Sequence, residues 1–166
     1  VRAPLFEREF TCPMCDGTVD IYGDHCLSCG EGGDRTKRHN CLRNQTFHFC
    51  QSAGLSPELE KPGLLEARPD GELHTNHQPD ARRPADVYLP RWRNGLPAAL
   101  DFAVTSGLRP TVIADTINDR SAAIMSYENH KRQHNNTEQD CEAQGIKFIP
   151  MVVEAAGGGW GPCCGQ

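Results

Sequence analysis

The chain has 166 residues, enough for one ordinary domain or for a small metal-stapled module joined to a modest core. Apolar residues make up 37% and charged ones 23%, and 17 Lys+Arg against 22 Asp+Glu leave a net charge of −5. This excludes a histone-like polycation and a disordered polyelectrolyte, so any nucleic-acid contact has to come from local basic patches. No apolar run approaches the roughly 18 residues of a membrane span. The charges at Arg2, Glu7, Arg8 and Glu9 are not those of a signal peptide. The opening without Met and the close at Gly161–Gln166 read as a piece of a longer chain.

In chain order, residues 11–34 come first, poor in aliphatics and rich in Cys, Gly and Asp. Cys12-x2-Cys15 is followed by Cys26-x2-Cys29, and without a secretory signal such clustering indicates metal rather than disulfides. Zn²⁺ takes four soft or borderline ligands in a tetrahedron, and each Cys-x2-Cys turn supplies two thiolates. His25-x3-Cys29 has ligand spacing too, so spacing leaves open either four cysteines or Cys12, Cys15, His25 and Cys29. A closed four-ligand site has no open position for water, so the zinc is expected to be structural. Of the nine cysteines the other five, Cys41, Cys50, Cys141, Cys163 and Cys164, lack such spacing and read as free thiols, implying a reducing compartment.

A basic run (Arg35, Lys37, Arg38, Arg43) leads into a helix over about 40–53, with Asn40 as N-cap and Gly54 as stop. Its apolar face is Leu42, Thr46, Phe49, Cys50 and Ala53. Residues 66–82, polar and carrying His74 and His77, read as a loop. Ala85–Leu89 and Ala98–Thr105 read as strands of a hairpin. With Asn94-Gly95 as its two-residue loop, Asp86 faces Ala103 and Tyr88 faces Asp101. Asp86 and Asp101 are then diagonal neighbours on one face, about 7–8 Å apart at Cβ, able to share Mg²⁺ or Mn²⁺. Val87, Leu89, Leu100, Phe102 and Val104 take the other face into the core. Arg82, Arg83, Arg91 and Arg93 surround this hairpin and suit a phosphate backbone.

A helix over 118–134 follows, then a short one from Thr137, where Thr137 and Asp140 resemble a capping box, to Gly145. Ile146–Val153 is a buried strand that ends in a glycine-rich turn at residues 157–161; Glu154 at its end reads as structural. Helix, strand, strand, helix, helix, strand gives a compact α/β core behind a zinc module. The glycine turn lacks the Lys-Ser/Thr of a phosphate loop, and neither Gly-x-Ser-x-Gly nor His-Glu-x-x-His occurs.

Taken as an ordered series, Cys12-x2-Cys15, His25-x3-Cys29, Arg38-His39-Asn40, Arg83-Pro84-Ala85-Asp86 and Asp101 resemble one known region. It is the C-terminal zinc knuckle plus restriction-like endonuclease of site-specific non-LTR retrotransposon polyproteins, and the resemblance covers roughly residues 11–155. It implies an α/β fold of the PD-(D/E)xK restriction-endonuclease-like class, a mixed sheet flanked by helices, preceded by a small zinc-binding module. The boundaries are 1–37 for a CCHC-type module and 38–166 for an endonuclease domain truncated at its C-terminus. The implied activity is a divalent-metal-dependent DNA endonuclease that nicks target DNA to prime a linked reverse transcriptase.

Carried over residue by residue, Asp86 and Asp101 are the two catalytic, Mg²⁺- or Mn²⁺-binding acids. Cys12, Cys15, His25 and Cys29 are the structural zinc ligands, leaving Cys26 a bystander. The usual Lys two residues after the second acid is absent, because that place holds Ala103. Lys131, on the helical face of Ile117, Ile124 and Tyr127, is the substitute; its competing reading is a surface pair with Glu128 at i+3. Glu60 is a further candidate ligand from the first helical region, its competing reading a solvated helix-end Glu. Arg38, His39, Arg83, Arg91 and Arg93 are the candidate nucleic-acid contacts, and His39 can alternatively cap the helix. The implied partners are DNA, element RNA and the rest of a polyprotein with reverse transcriptase, with no membrane, in the nucleus. The alternative function is a catalytically inactive zinc-dependent nucleic-acid-binding or targeting module.

Overall fold

The computed structural model describes residues 3–65, 83–109, 111–157 and 159–161. The expected loop at 66–82, with His74, His77 and Arg82, lies outside them, as do Cys163 and Cys164. The chain forms two compact units. One comprises Val1–Cys41, Ala103–Tyr127 and Val152–Gln166, the other Leu42–Phe102 and Glu128–Met151.

The first unit opens with β1 (Phe10–Thr11) and β2 (Thr18–Val19), an antiparallel pair pairing Phe10 with Val19. The short helix α1 (Asp24–Ser28) follows a left-handed Gly23. Asp20 fixes this helix start by accepting from the N–H groups of Tyr22 (2.8 Å) and His25 (3.2 Å). Those amide bonds outweigh the burial that pushes its pKa up, and the net shift is downward. Ala103, Ile124, Tyr127 and Val152 form this unit's apolar cluster. Beyond Glu154 the chain turns through Gly157 and Gly159, both at positive φ, and Trp160 pairs back against Val153. Glu154 holds that turn structurally, accepting from Gly107 N–H (3.3 Å) and Ala156 N–H (2.7 Å).

The long helix α2 runs Asp34–Ser52, six residues earlier than the expected N-cap Asn40. The basic run therefore lies within the helix, not before it. Gly54, at φ 74°, ends it as expected, with Leu55 N–H closing on the Cys50 carbonyl. The apolar face differs from expectation: Leu42, Phe47 and Cys50 pack on the sheet, whereas Phe49 is 64% exposed. Short apolar stretches in a polar helix leave the choice of face to tertiary packing.

A four-stranded sheet has the order β3 (Glu58–Leu59), β4 (Val87–Leu89), β5 (Ala98–Thr105) and β6 (Lys147–Glu154). The edge strand β3, where a helical region was expected, pairs antiparallel with β4, Leu59 opposite Val87. β4 and β5 are antiparallel with Val87 opposite Leu100 and Tyr88 opposite Ala99. Lys147 N–H bonds the Pro97 carbonyl and Ala155 N–H the Thr105 carbonyl, so β6 runs parallel to β5 and the sheet is mixed.

Period-2 alternation explains the packing. Leu100, Phe102, Val87, Leu89 and Ala98 join Cys50 on one face, with Ile149 and Met151 beside them. Ala99 and Phe148 lie on the other face, packed with Ala85, Cys141 and Ile146. The expected helix over 118–134 divides into α3 (Ile113–Asn118) and α4 (Ala122–Gln133). α5 (Thr137–Ala143) is N-capped by left-handed Asn136, and the Thr137 hydroxyl instead donates back to the His134 carbonyl (2.7 Å). Among the described residues no helix is long and apolar enough to cross a membrane.

Candidate metal centres

The hairpin β1–β2 and the helix α1 bring Cys12, Cys15, His25 and Cys29 together, with all four ligand atoms within 4.8 Å of one another. A tetrahedral zinc with Zn–S bonds of about 2.3 Å has S···S edges of about 3.8 Å. The sulfurs of Cys12 and Cys29 are 3.9 Å apart and those of Cys15 and Cys29 3.7 Å, with His25 Nε2 3.3 Å from Cys15. The Cys3His cluster therefore fits zinc, and the choice that spacing left open falls to His25; Cys26 is exposed. The Met14 N–H, opposed by burial and assisted by Cys15 and His25, lowers the Cys12 pKa to about 6, favouring the thiolate that binds metal. Gly17 has no alternative here, since a Cβ would stand 2.6 Å from the His25 ring.

The second centre is built by β4, β5 and α4. The β4–β5 connection is not a two-residue turn but eight residues, 90–97, with a 3-10 turn at Arg93–Gly95. The pairing consequently shifts by two residues from the expected one, which preserves the face of every side chain. Continued past Val87 and Leu100, it puts Asp101 across from Asp86 rather than diagonal to it. The ladder ends at Asp86: its N–H reaches the Leu100 carbonyl (2.9 Å), and its Oδ2 accepts from the Phe102 N–H (2.6 Å).

Lys131, on α4, places Nζ 2.7 Å from Asp101 Oδ1. It is thus paired with the strand acid, while Glu128, one turn earlier, is buried and not part of a surface pair. Burial is the main force on Asp101, raising its pKa to about 6. The charge and hydrogen bond of Lys131 pull it down, and the neighbouring Asp86 carboxyl pushes it up. The two half-buried acids thus come together at adjacent inner strands of the sheet, with Lys131 as their cation. Among the described residues only the zinc ligands form a group of three or more, so this pair supplies two carboxylates.

Glu60 follows β3 directly, and its N–H donates to the Asp86 carbonyl (3.0 Å). Its carboxylate is held by Arg43, on α2, and lies 3.7 Å from Arg83. Arg91 and Arg93 are exposed on the β4–β5 connection, Arg93 over the Trp92 ring. Arg38 and His39 sit half-buried in the second turn of α2, and Arg38 Nη2 donates to the Leu27 carbonyl at the end of α1 (2.8 Å). The sequence offers Glu128 only as a surface partner of Lys131, whereas it is buried; Arg43 as the partner of Glu60 has no signal in the sequence, because it depends on the unforeseen strand β3.

Comparison of the chain with protein-family models, curated proteins and solved structures gives no match.

Proposed function

We propose that the chain is a divalent-metal-dependent DNA endonuclease with a PD-(D/E)xK-like core, belonging to a retrotransposon polyprotein. It would nick target DNA in the nucleus so that a linked reverse transcriptase, carrying element RNA, can prime from the cut end. The observation that carries this reading is the meeting of Asp86, Asp101 and Lys131, with Lys131 Nζ 2.7 Å from Asp101. The order helix, three antiparallel strands, helix, parallel strand agrees with such a core.

Asp86 and Asp101 would hold the cation, whose chemistry when bound is to polarise the phosphate and make a bound water more acidic. The Phe102 N–H, donating to Asp86 Oδ2 (2.6 Å), fixes the Asp86 carboxylate against β5. Asp101, with a pKa near 6, is mostly ionised at neutral pH and so available as a ligand. Lys131 brings three N–H donors to the same edge, where they orient the attacking water or offset charge growing on the phosphate oxygens. The zinc, held by four protein ligands with no open position, takes no part in the hydrolysis.

The test is nicking of supercoiled plasmid by the zinc-loaded chain with Mg²⁺ or Mn²⁺. Asp86→Ala, Asp101→Ala and Lys131→Met are each expected to lower the rate roughly 100-fold or more. Absence of nicking by the unaltered chain, with DNA binding retained, would replace this reading by that of a targeting module.

A further inference from the structure

Glu60 is an exposed carboxylate in a place that carboxylates seldom take. Its φ is +45°, in the left-handed region that costs a non-glycine residue about 1 kcal/mol or more. It directly follows the edge strand β3, with its N–H on the Asp86 carbonyl, yet its carboxylate is held by Arg43 and lies 3.7 Å from Arg83, two arginines from different parts of the chain. Arg43 is largely buried and pre-set: its Nε donates to Asn44 Oδ1 (3.0 Å), so it loses little freedom on gripping an anion. Guanidinium groups grip carboxylate and phosphate by the same forked geometry. The residue they hold is the one whose N–H donates to the Asp86 carbonyl (3.0 Å), which puts this anion site beside Asp86 along the backbone.

Building on the endonuclease reading, we propose that Arg43 and Arg83 form a binding site for a nucleic-acid backbone phosphate beside Asp86. Glu60 fills that site until the phosphate displaces it. A structural tie would need no strained residue at the sheet edge. An internal counter-anion, by contrast, keeps the largely buried Arg43 neutralised when DNA is absent and sets a threshold that weakly held anions do not pass.

The experiment is equilibrium binding of a labelled DNA duplex to the zinc-loaded full chain, without Mg²⁺ or Mn²⁺, across a salt series. Glu60→Gln is expected to tighten binding roughly three- to tenfold, with the salt slope unchanged because the same phosphates are neutralised. Arg43→Gln and Arg83→Gln should each weaken binding and lower the slope by about 1. Glu58→Gln is the control: it lies two residues earlier on β3, is equally exposed and is paired with Lys61, so general electrostatics would move it as much. Glu60→Gly, which adopts the positive φ without strain, gives the same reading should Glu60→Gln fold poorly. The site is overturned if Glu60→Gln binds no tighter than Glu58→Gln, or if its gain survives in the Arg43→Gln/Arg83→Gln background. Plasmid nicking, scored separately, separates the two claims. Nicking without the Glu60 effect removes only the phosphate site, and the Glu60 effect without nicking removes only the nuclease.

Discussion

Replacing Asp101 by Asn isolates the electrostatic strain between the acids at β4 and β5. The folded pKa of Asp101, about 6, lies above its ordinary value of 3.8, so the folded chain binds more protons than the unfolded chain between those values. Its contribution is therefore greatest in acid and falls as pH rises through 6. A shift of this size corresponds to at most about 3 kcal/mol, about half of it lost between pH 5 and 8. Water reaches 27% of the side chain, which reduces the fall over that range to about 1 kcal/mol. Urea unfolding of the zinc-loaded chain at pH 5 to 8 should show this fall in the wild type and its absence in Asp101→Asn. Losing the partner of Lys131 lowers the variant's stability as a whole, but the difference in slope is independent of that offset. Mn²⁺ at pH 7.5 should restore the wild type and leave the variant unmoved. Parallel pH profiles for the two proteins would refute the reasoning.

Lys131→Met removes the cation that pulls Asp101 down, so the fall in stability with pH should steepen. Mn²⁺ affinity, read by calorimetry, should rise several-fold while nicking is lost; a parallel loss of both would make Lys131 merely structural. His25→Ala should leave less than one zinc per chain by metal analysis and Cys26→Ser a full complement, the reverse result favouring four cysteines. Gly17→Ala should weaken zinc retention against a chelator by tenfold or more, because the His25 ring must move away from the new methyl group. Phe102→Ala, at a fully buried position, should cost about 3–5 kcal/mol in urea unfolding, and a cost under 1 kcal/mol would place it outside the core.

The elements with strong local signals were readable before the fold was known. Ala98–Thr105 starts just after Pro97 and sets Leu100, Phe102 and Val104 at period 2, and Gly54 and Gly145 sit at positive φ where a helix end requires it. Three ligands of the Cys/His cluster, Cys12, Cys15 and Cys29, were legible from spacing, whereas His25 rather than Cys26 as the fourth depended on how α1 turns its side chains. What escaped depended on distant partners. The two residues of β3 exist as a strand only because β4 offers its edge, and Phe49 is exposed because α2 is turned to put Phe47 on the sheet. The hairpin register failed for a local reason: Asn94 and Gly95 do take positive φ, but inside an eight-residue connection. The two acids stayed on one face because the error was an even number of residues.

The same geometry shows how a cation reaches Asp101 from outside its own strand. Two residues beyond Asp101 stands Ala103, 7% exposed among Ile124, Tyr127 and Val152. A lysine there would put an ammonium among apolar side chains, at a cost its charge pair could not offset unless it left the pocket. A parallel β5–β6 connection must carry the chain back across the sheet, and it does so through α4. That crossover gives a second route to the face of Asp101. Lys131 lies one further turn along the helical face of Ile124 and Tyr127, and its 2.7 Å approach to Asp101 follows from that topology. The charge is thus supplied from a helix, where a long flexible side chain can reach the acid with 16% of its surface still in water.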